Sequence, residues 1–273
     1  MPVTLTGAHL EAPIVVSASL YSDNTPMVKV DDWAEAIKAD TMTIQSGSLM
    51  DFMTGMFLAD AIAHAGGWVE TLVLPYLPGA RQDRTNPTGD VLFTARSMAG
   101  EINRRQFVNV ITVDPHSPVM PNMIRGIKLY PLNRIANAII KRYDGIIAPD
   151  SGAETRASAF ARTKGLSIYF GSKQRDPATG KLSGFSIDVP KGHYLVVDDI
   201  CDGGGTFMGL AEEIKRCGAT ADLYVTHGIF AKRAEPRLLK HYQDIFTTDS
   251  LPRYEDTKHV HVINILDEMR TTK

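Results

Sequence analysis

The sequence predicts an α/β protein with two mainly parallel sheets, each flanked by helices. Three observations carry that expectation. Short β-rich runs alternate with longer stretches of helical period, the order expected when strands and helices take turns along the chain. The strand candidates are apolar without strict alternation, as in sheets buried on both faces, which are largely parallel. The alternation also runs twice, once before and once after roughly residue 130, so two domains are expected.

Taken in order, Met42–Gln45 is the first β-rich run, and Leu49–Ala65 follows with helical period, placing Met50, Met53, Phe57 and Ala61 on one face. Thr71–Pro75 and Val108–Val113 are apolar runs bounded by turn formers. Gly145–Ala148 and Ser167–Phe170 open the second half. Ser172–Gly184 (SKQRDPATGKLSG) holds Gly, Pro and four charges with no apolar period and is expected to be a long mobile loop with a function. Tyr194–Val197 is a strand. Phe207, Leu210, Ala211 and Ile214 then repeat at helical spacing, and Ala221–Thr226 and His259–Ile265 complete the set.

Composition narrows the function classes. The 273 residues are 44% hydrophobic and 22% charged, an ordinary globular balance. Lys and Arg number 29 against 31 Asp and Glu, and a net charge of -2 argues against nucleic acid as the main partner. Two cysteines, Cys201 and Cys217, are too few for a disulfide framework and fit a reducing cytosol. The opening MPVTLTGAHLEAPIVV lacks the basic start of a signal peptide, and no window reaches roughly 18 uninterrupted apolar residues. A soluble, cytoplasmic protein without a membrane partner is expected.

The sharpest motif is Tyr194–Phe207, YLVVDDICDGGGTF. An apolar strand leads to Asp198 and Asp199, and Asp202, Gly203, Gly204, Gly205 and Thr206 lead into a helix. Glycines let backbone N–H groups converge without Cβ obstruction, and a helix N-terminus adds positive potential, so the turn suits an anion of phosphate size. The acid pair can accept hydrogen bonds from vicinal hydroxyls, as on a ribose. A Walker A loop would need Lys after the glycines, where Thr206 and Phe207 stand. A dinucleotide fingerprint does not usually place two acids before its glycines. A plain tight turn is the remaining alternative, and the acids make it the weaker one.

This motif resembles the phosphoribosyl-pyrophosphate motif shared by type I phosphoribosyltransferases and ribose-phosphate pyrophosphokinases. Other blocks resemble the pyrophosphokinases in particular: LPYLPGARQDR at Leu74–Arg84, TVDPHSP at Thr112–Pro118, IAPDSGAETR at Ile147–Arg156, Lys173-Gln174-Arg175, THGIF at Thr226–Phe230 and TDSLP at Thr248–Pro252. The likeness is collinear over about residues 40–265. It implies two phosphoribosyltransferase-like domains, residues 1–130 on the ATP side and 131–257 on the ribose-phosphate side, with the final strand in 258–273 returning to the first.

The resemblance implies transfer of a pyrophosphoryl group from ATP to the anomeric hydroxyl of ribose 5-phosphate, with AMP leaving. Such chemistry rests on positioning and charge neutralisation. By the same resemblance Lys173 and Arg175 stabilise the transferred group. Arg81, Gln82, Asp83, Arg84 and His116 bind ATP, and His116 and Asp150 help hold Mg2+. Asp198 and Asp199 take ribose hydroxyls or a second Mg2+, and Asp202, Gly203, Gly204, Gly205 and Thr206 cradle the 5-phosphate. Homo-oligomers are also implied.

Three departures stand out. The family's opening glycine-rich segment is not recognisable, and its adenine loop survives only as Tyr21-Ser22-Asp23-Asn24-Thr25. The chain stops soon after Ile265, without the family's full closing helix. The cradle reads DGGGT where the family commonly has DTAGT or DTGGT, which suggests a larger ribose 5-phosphate ester such as ADP-ribose as an alternative acceptor. A non-catalytic regulatory subunit is a further alternative, though the loop cations and the acid pair are present.

Overall fold

A computed structural model describes residues 3–23, 25–85, 92–175, 182–252 and 256–271, with backbone alone at 173–175 and 182–183. The chain divides into two compact units. The first comprises residues 1–130, 250–252 and 266–273, and the second 131–249 and 253–265.

The first unit holds β1 (Val3–Thr6), β2 (Ile14–Leu20), β3 (Pro26–Lys29), α1 (Trp33–Ala36), β4 (Thr41–Ile44), α2 (Leu49–His64), β5 (Thr71–Val73), α3 (Thr94–Arg104), β6 (Asn109–Val113) and β7 (Ile127–Tyr130). Its sheet runs β3-β2-β1-β4-β5-β6-β7. Strands β4 to β7 are parallel, and β1 to β3 extend them antiparallel. The expected parallel sheet is therefore its core, with an antiparallel wing at one side. Tyr21–Thr25 is the turn of the β2–β3 hairpin, closed by donation from Tyr21 N to Thr25 O at 2.9 Å. Asn24 lies outside the described residues.

Helix α2 corrects one expectation. Phe52, Met56, Leu58, Ala59 and Ile62 are its buried apolar positions, whereas Phe57 is 45% exposed and Ala61 is exposed. The helix is apolar on most sides, so periodicity alone could not choose its inner face.

The second unit holds α4 (Leu132–Ala138), β8 (Gly145–Ala148), α5 (Glu154–Lys164), β9 (Ile168–Phe170), β10 (Ser172–Arg175), β11 (Leu182–Ser186), β12 (His193–Cys201), α6 (Gly205–Arg216), β13 (Thr220–Gly228), α7 (Ala234–Leu238), β14 (Ile245–Thr248) and β15 (Val260–Ile263). Its sheet, β15-β14-β13-β12-β8-β9, is parallel throughout. Strands Tyr194–Val197 of β12 and Leu223 and Val225 of β13 are buried between helices, which explains their unbroken apolar runs.

Two expectations change here. The segment Ser172–Gly184 is not a plain loop: β10 and β11 form an antiparallel hairpin, with residues 176–181 outside the described set. The strand near His259–Ile265 does not return to the first unit, because β15 pairs with β14 through Ile245↔Val260 to Thr248↔Ile263. What does belong to the first unit is the following helix, α8 (Leu266–Thr271), whose Met269 is fully buried. There Tyr130 donates to Glu268 at 2.6 Å, and Arg270 Nε donates to Thr43 at 3.2 Å. No helix among the described residues is long and apolar enough to cross a membrane.

Candidate active site

In parallel sheets, ligands collect beyond the carboxyl ends of the strands. Each sheet of this protein carries expected site residues at that edge.

In the first unit β5 and β6 are neighbours, so the segments that follow them share one edge. After β5 come Arg81 to Arg84. Arg81, Gln82 and Arg84 are exposed, while Asp83 is buried with Arg84 Nε 3.4 Å from its Oδ1. Arg81, Gln82 and Arg84 are thus the exposed side chains of this turn, with Asp83 beneath them. After β6 the chain turns at Asp114, buried in a left-handed backbone (φ 38°), and presents half-buried His116. A non-glycine residue held there costs about 1 kcal/mol, which marks the turn as constrained.

In the second unit β8 and β12 are neighbours, and their trailing turns meet. Asp150 caps the turn after β8, its Oδ1 accepting from Gly152 N at 2.9 Å. Strand β12 runs two residues beyond the acid pair, so Asp198 and Asp199 lie within its carboxyl end rather than past it. Asp199 is buried and Asp198 is 14% exposed at its side chain. Burial and the neighbouring Asp199 push the Asp198 carboxyl well above its ordinary range, and Arg156 partly offsets this.

Arg156 is the residue that sequence reasoning missed. It lies on α5, 7% exposed, with Nη1 2.9 Å from Gly152 O, 3.2 Å from Asp198 Oδ1 and 3.5 Å from Asp199 Oδ1. Its signal was present: it falls among the positions that α5 buries, Ala157, Phe160 and Ala161, where a charge requires a partner.

The glycine turn joins β12 to α6. Gly204 is required by the backbone, with φ 77° and Leu238 3.3 Å from a would-be Cβ. At Gly203 and Gly205 a Cβ would meet nothing within 4 Å, so neither packing nor backbone conformation demands glycine. Their use fits close approach of a ligand to the main chain. Asp202 and Thr206 flank them, half-buried. Cys201 is fully buried and its thiol is pushed up by that burial, a packing residue rather than a nucleophile. Beyond β13, Phe230, Lys232 and Arg233 all adopt left-handed φ (43°, 56° and 54°). This turn leans on the cradle through Phe230 N to Cys201 O at 2.9 Å and Arg237 Nη2 to Gly203 O at 3.0 Å.

Lys173 and Arg175 lie on β10, opposite Phe185 and Leu182 of β11. Phe185 docks on α6: a Cβ at Gly209 would come within 2.2 Å of its ring. The hairpin root is thus seated on the helix that begins at the cradle.

No family model matches the chain. Comparison with known proteins finds a ribose-phosphate pyrophosphokinase of Pyrococcus abyssi, 31% identical over 74% of this chain and 72% of that protein. Another from Maricaulis maris is 30% identical over 89% of this chain and 82% of that protein. Among solved structures, the phosphoribosylpyrophosphate synthetase of Mycobacterium smegmatis shares the fold, with a TM-score of 0.79 and 20% identity over 94% of this chain and 88% of that one. With relatives at this identity covered over more than two thirds of their length, the chain belongs to the ribose-phosphate pyrophosphokinase family.

Proposed function

We propose that this protein transfers the β,γ-diphosphoryl group of ATP to the anomeric hydroxyl of ribose 5-phosphate, giving phosphoribosyl pyrophosphate and AMP in the cytoplasm. The observation that carries the reading is the acid pair on β12 feeding a turn whose Gly203 and Gly205 are open to a ligand. Asp198 and Asp199 accept hydrogen bonds from the ribose hydroxyls, and the N–H groups of 202–206 receive the 5-phosphate. The C1 hydroxyl oxygen attacks the β-phosphorus as the bond to the α,β-bridging oxygen breaks. That electron pair leaves on AMP, and the hydroxyl proton passes to solvent. Arg81, Gln82, Arg84 and His116 hold the nucleotide, with Asp83 beneath the first three. Lys173 and Arg175 carry charge to the transferred group.

The donor chemistry fits Mg2+. The described residues hold no group of three His, Cys, Asp or Glu that could form a cage, and Mg2+ bound with phosphates needs few protein ligands. Each unit offers a side chain toward Mg2+, His116 in the first and Asp150 in the second, and the ion would neutralise phosphate charge when bound. Self-association belongs to the same reading.

One observation favours a larger acceptor as a second reading. The turn after β13, whose Phe230 N donates to Cys201 O, carries Lys232 and Arg233, both exposed in left-handed backbone and paired with no carboxylate among the described residues. They suit a second phosphate on the 5-position, as in ADP-ribose. The test is AMP release from ATP with each acceptor, with products identified by mass spectrometry. Absence of AMP with both acceptors rejects the transfer itself. Equal or faster turnover of ribose 5-phosphate removes the second reading alone.

A further inference from the structure

We propose that Arg156 is the positioning residue of the acceptor site, one guanidinium that locks the turn carrying Asp150 to the acid pair on β12. The proposal rests on the pyrophosphokinase reading and gives a role to the residue that closes the IAPDSGAETR block.

The geometry is specific. Asp198 and Asp199 are consecutive in a strand, where side chains alternate between opposite faces. Yet the same nitrogen, Arg156 Nη1, lies 3.2 Å from Asp198 Oδ1 and 3.5 Å from Asp199 Oδ1. Asp198 Oδ1 also accepts from Asp199 N at 2.9 Å. This oxygen is therefore fixed from two sides, and the carboxylate can turn only its other oxygen, Oδ2, toward a hydroxyl. The same Nη1 donates to Gly152 O at 2.9 Å, and Gly152 N is held by Asp150 Oδ1. Arg156 thus clamps the turn after β8 to a carboxylate on β12, 42 residues beyond it. Arg156 is almost fully buried, so solvent does little to weaken it.

Arg156 touches no reacting atom in this scheme and acts through the carboxylates. Its loss should therefore change acceptor binding more than nucleotide binding. Hydrogen bonds to charged groups are of a size that predicts a rise of about 10- to 100-fold in acceptor KM for Arg156→Met. Arg156→Lys keeps the charge but lacks the fork, so it should rescue part of the loss, leaving acceptor KM up about 5- to 10-fold. The ATP KM should stay within about twofold in both variants.

The experiment measures steady-state AMP formation by wild-type, R156M and R156K enzymes, varying ribose 5-phosphate and ATP separately. A purely structural role would reduce the active fraction and leave KM values of the remaining enzyme unchanged. An unchanged acceptor KM in a folded variant overturns the proposal, as does an equal rise in both KM values. Should R156M fail to fold, R156K decides by the same criteria. A wild-type enzyme that makes no AMP would instead reject the pyrophosphokinase reading itself.

Discussion

At the amino ends of the second unit's strands, Asp222 sits with its side chain wholly inside the protein. Lys141 Nζ lies 2.7 Å from its Oδ2, Tyr143 donates to it at 2.8 Å, and His193 Nε2 is 3.3 Å away. Lys141 also reaches Asp244 at 2.6 Å, and Asp244 N donates to Asp222 Oδ1 at 3.0 Å. Burial alone would raise the Asp222 pKa, but donors from His193, Lys141 and Tyr143 outweigh it and bring it down. Replacing Lys141 by Met removes the ammonium from both acids. Breaking a fully buried pair costs about 3–5 kcal/mol. Lys141 is 35% exposed at its side chain and the Tyr143 and Asp244 donors remain, so about 2–3 kcal/mol is the reasoned loss. For a unit of this size that corresponds to a melting point lower by roughly 5–10 °C. Thermal denaturation of K141M, D222N and the double variant measures it. The cost arises from stranding the Asp222 charge, so adding D222N to K141M should restore most of the stability. Costs of K141M and D222N that simply add would refute the reasoning. Activity should be unchanged, since Asp198 and the cradle lie at the opposite edge of the same sheet.

Further outcomes follow from the same geometry. Burial raises the Asp244 pKa, but hydrogen bonds from Lys141 and His259 bring it from 3.8 down to about 2. A depressed carboxylate stabilises above its unfolded pKa, so about 2 kcal/mol should be lost as pH falls from about 4 to about 2, read by denaturant melts; a flat profile would contradict it. Asp198 is shifted the other way, so acceptor kcat/KM should climb from about pH 6 to about pH 9 as the acid pair sheds its last proton. Gly209→Val would drive a side chain into Phe185, at a cost of about 1–3 kcal/mol, and should speed proteolysis between residues 172 and 186 and lower kcat. Wild-type cleavage and turnover would show that the hairpin root is not seated there. Lys173→Ala should cut AMP formation by about 100-fold or more, and normal turnover would remove it from the mechanism.

The parallel core was legible because burial on both faces writes itself as unbroken apolar runs, as in β12 and β13. The four α6 positions chosen by period, Phe207, Leu210, Ala211 and Ile214, are all buried. Strands with little apolar content were not legible. β14, IFTT, buries Thr247 and Thr248 inside the sheet, and β10, SKQR, has no apolar residue at all. Helix α5 buries Phe160 and small alanines within a charged sequence, so its period is faint. The sheet that β15 joins depends on pairing with β14, and strand periodicity says nothing of partners. At the site, polar residues at strand ends were visible through their motifs. Arg156 closes the IAPDSGAETR block, yet its role was not legible, because it depends on carboxylates 42 residues away.

The unit that opens the chain is the last to be completed. Everything in the second unit has been synthesised once residue 265 is made, yet the first still lacks α8. Until then the place of Met269 is unfilled, and Tyr130 and Thr43 lack the side chains of Glu268 and Arg270. Domains made on a ribosome usually finish amino end first. Here the order of completion is inverted, and the nascent first unit keeps an apolar seat open while more than a hundred further residues emerge. That interval is when a chaperone would have most to bind.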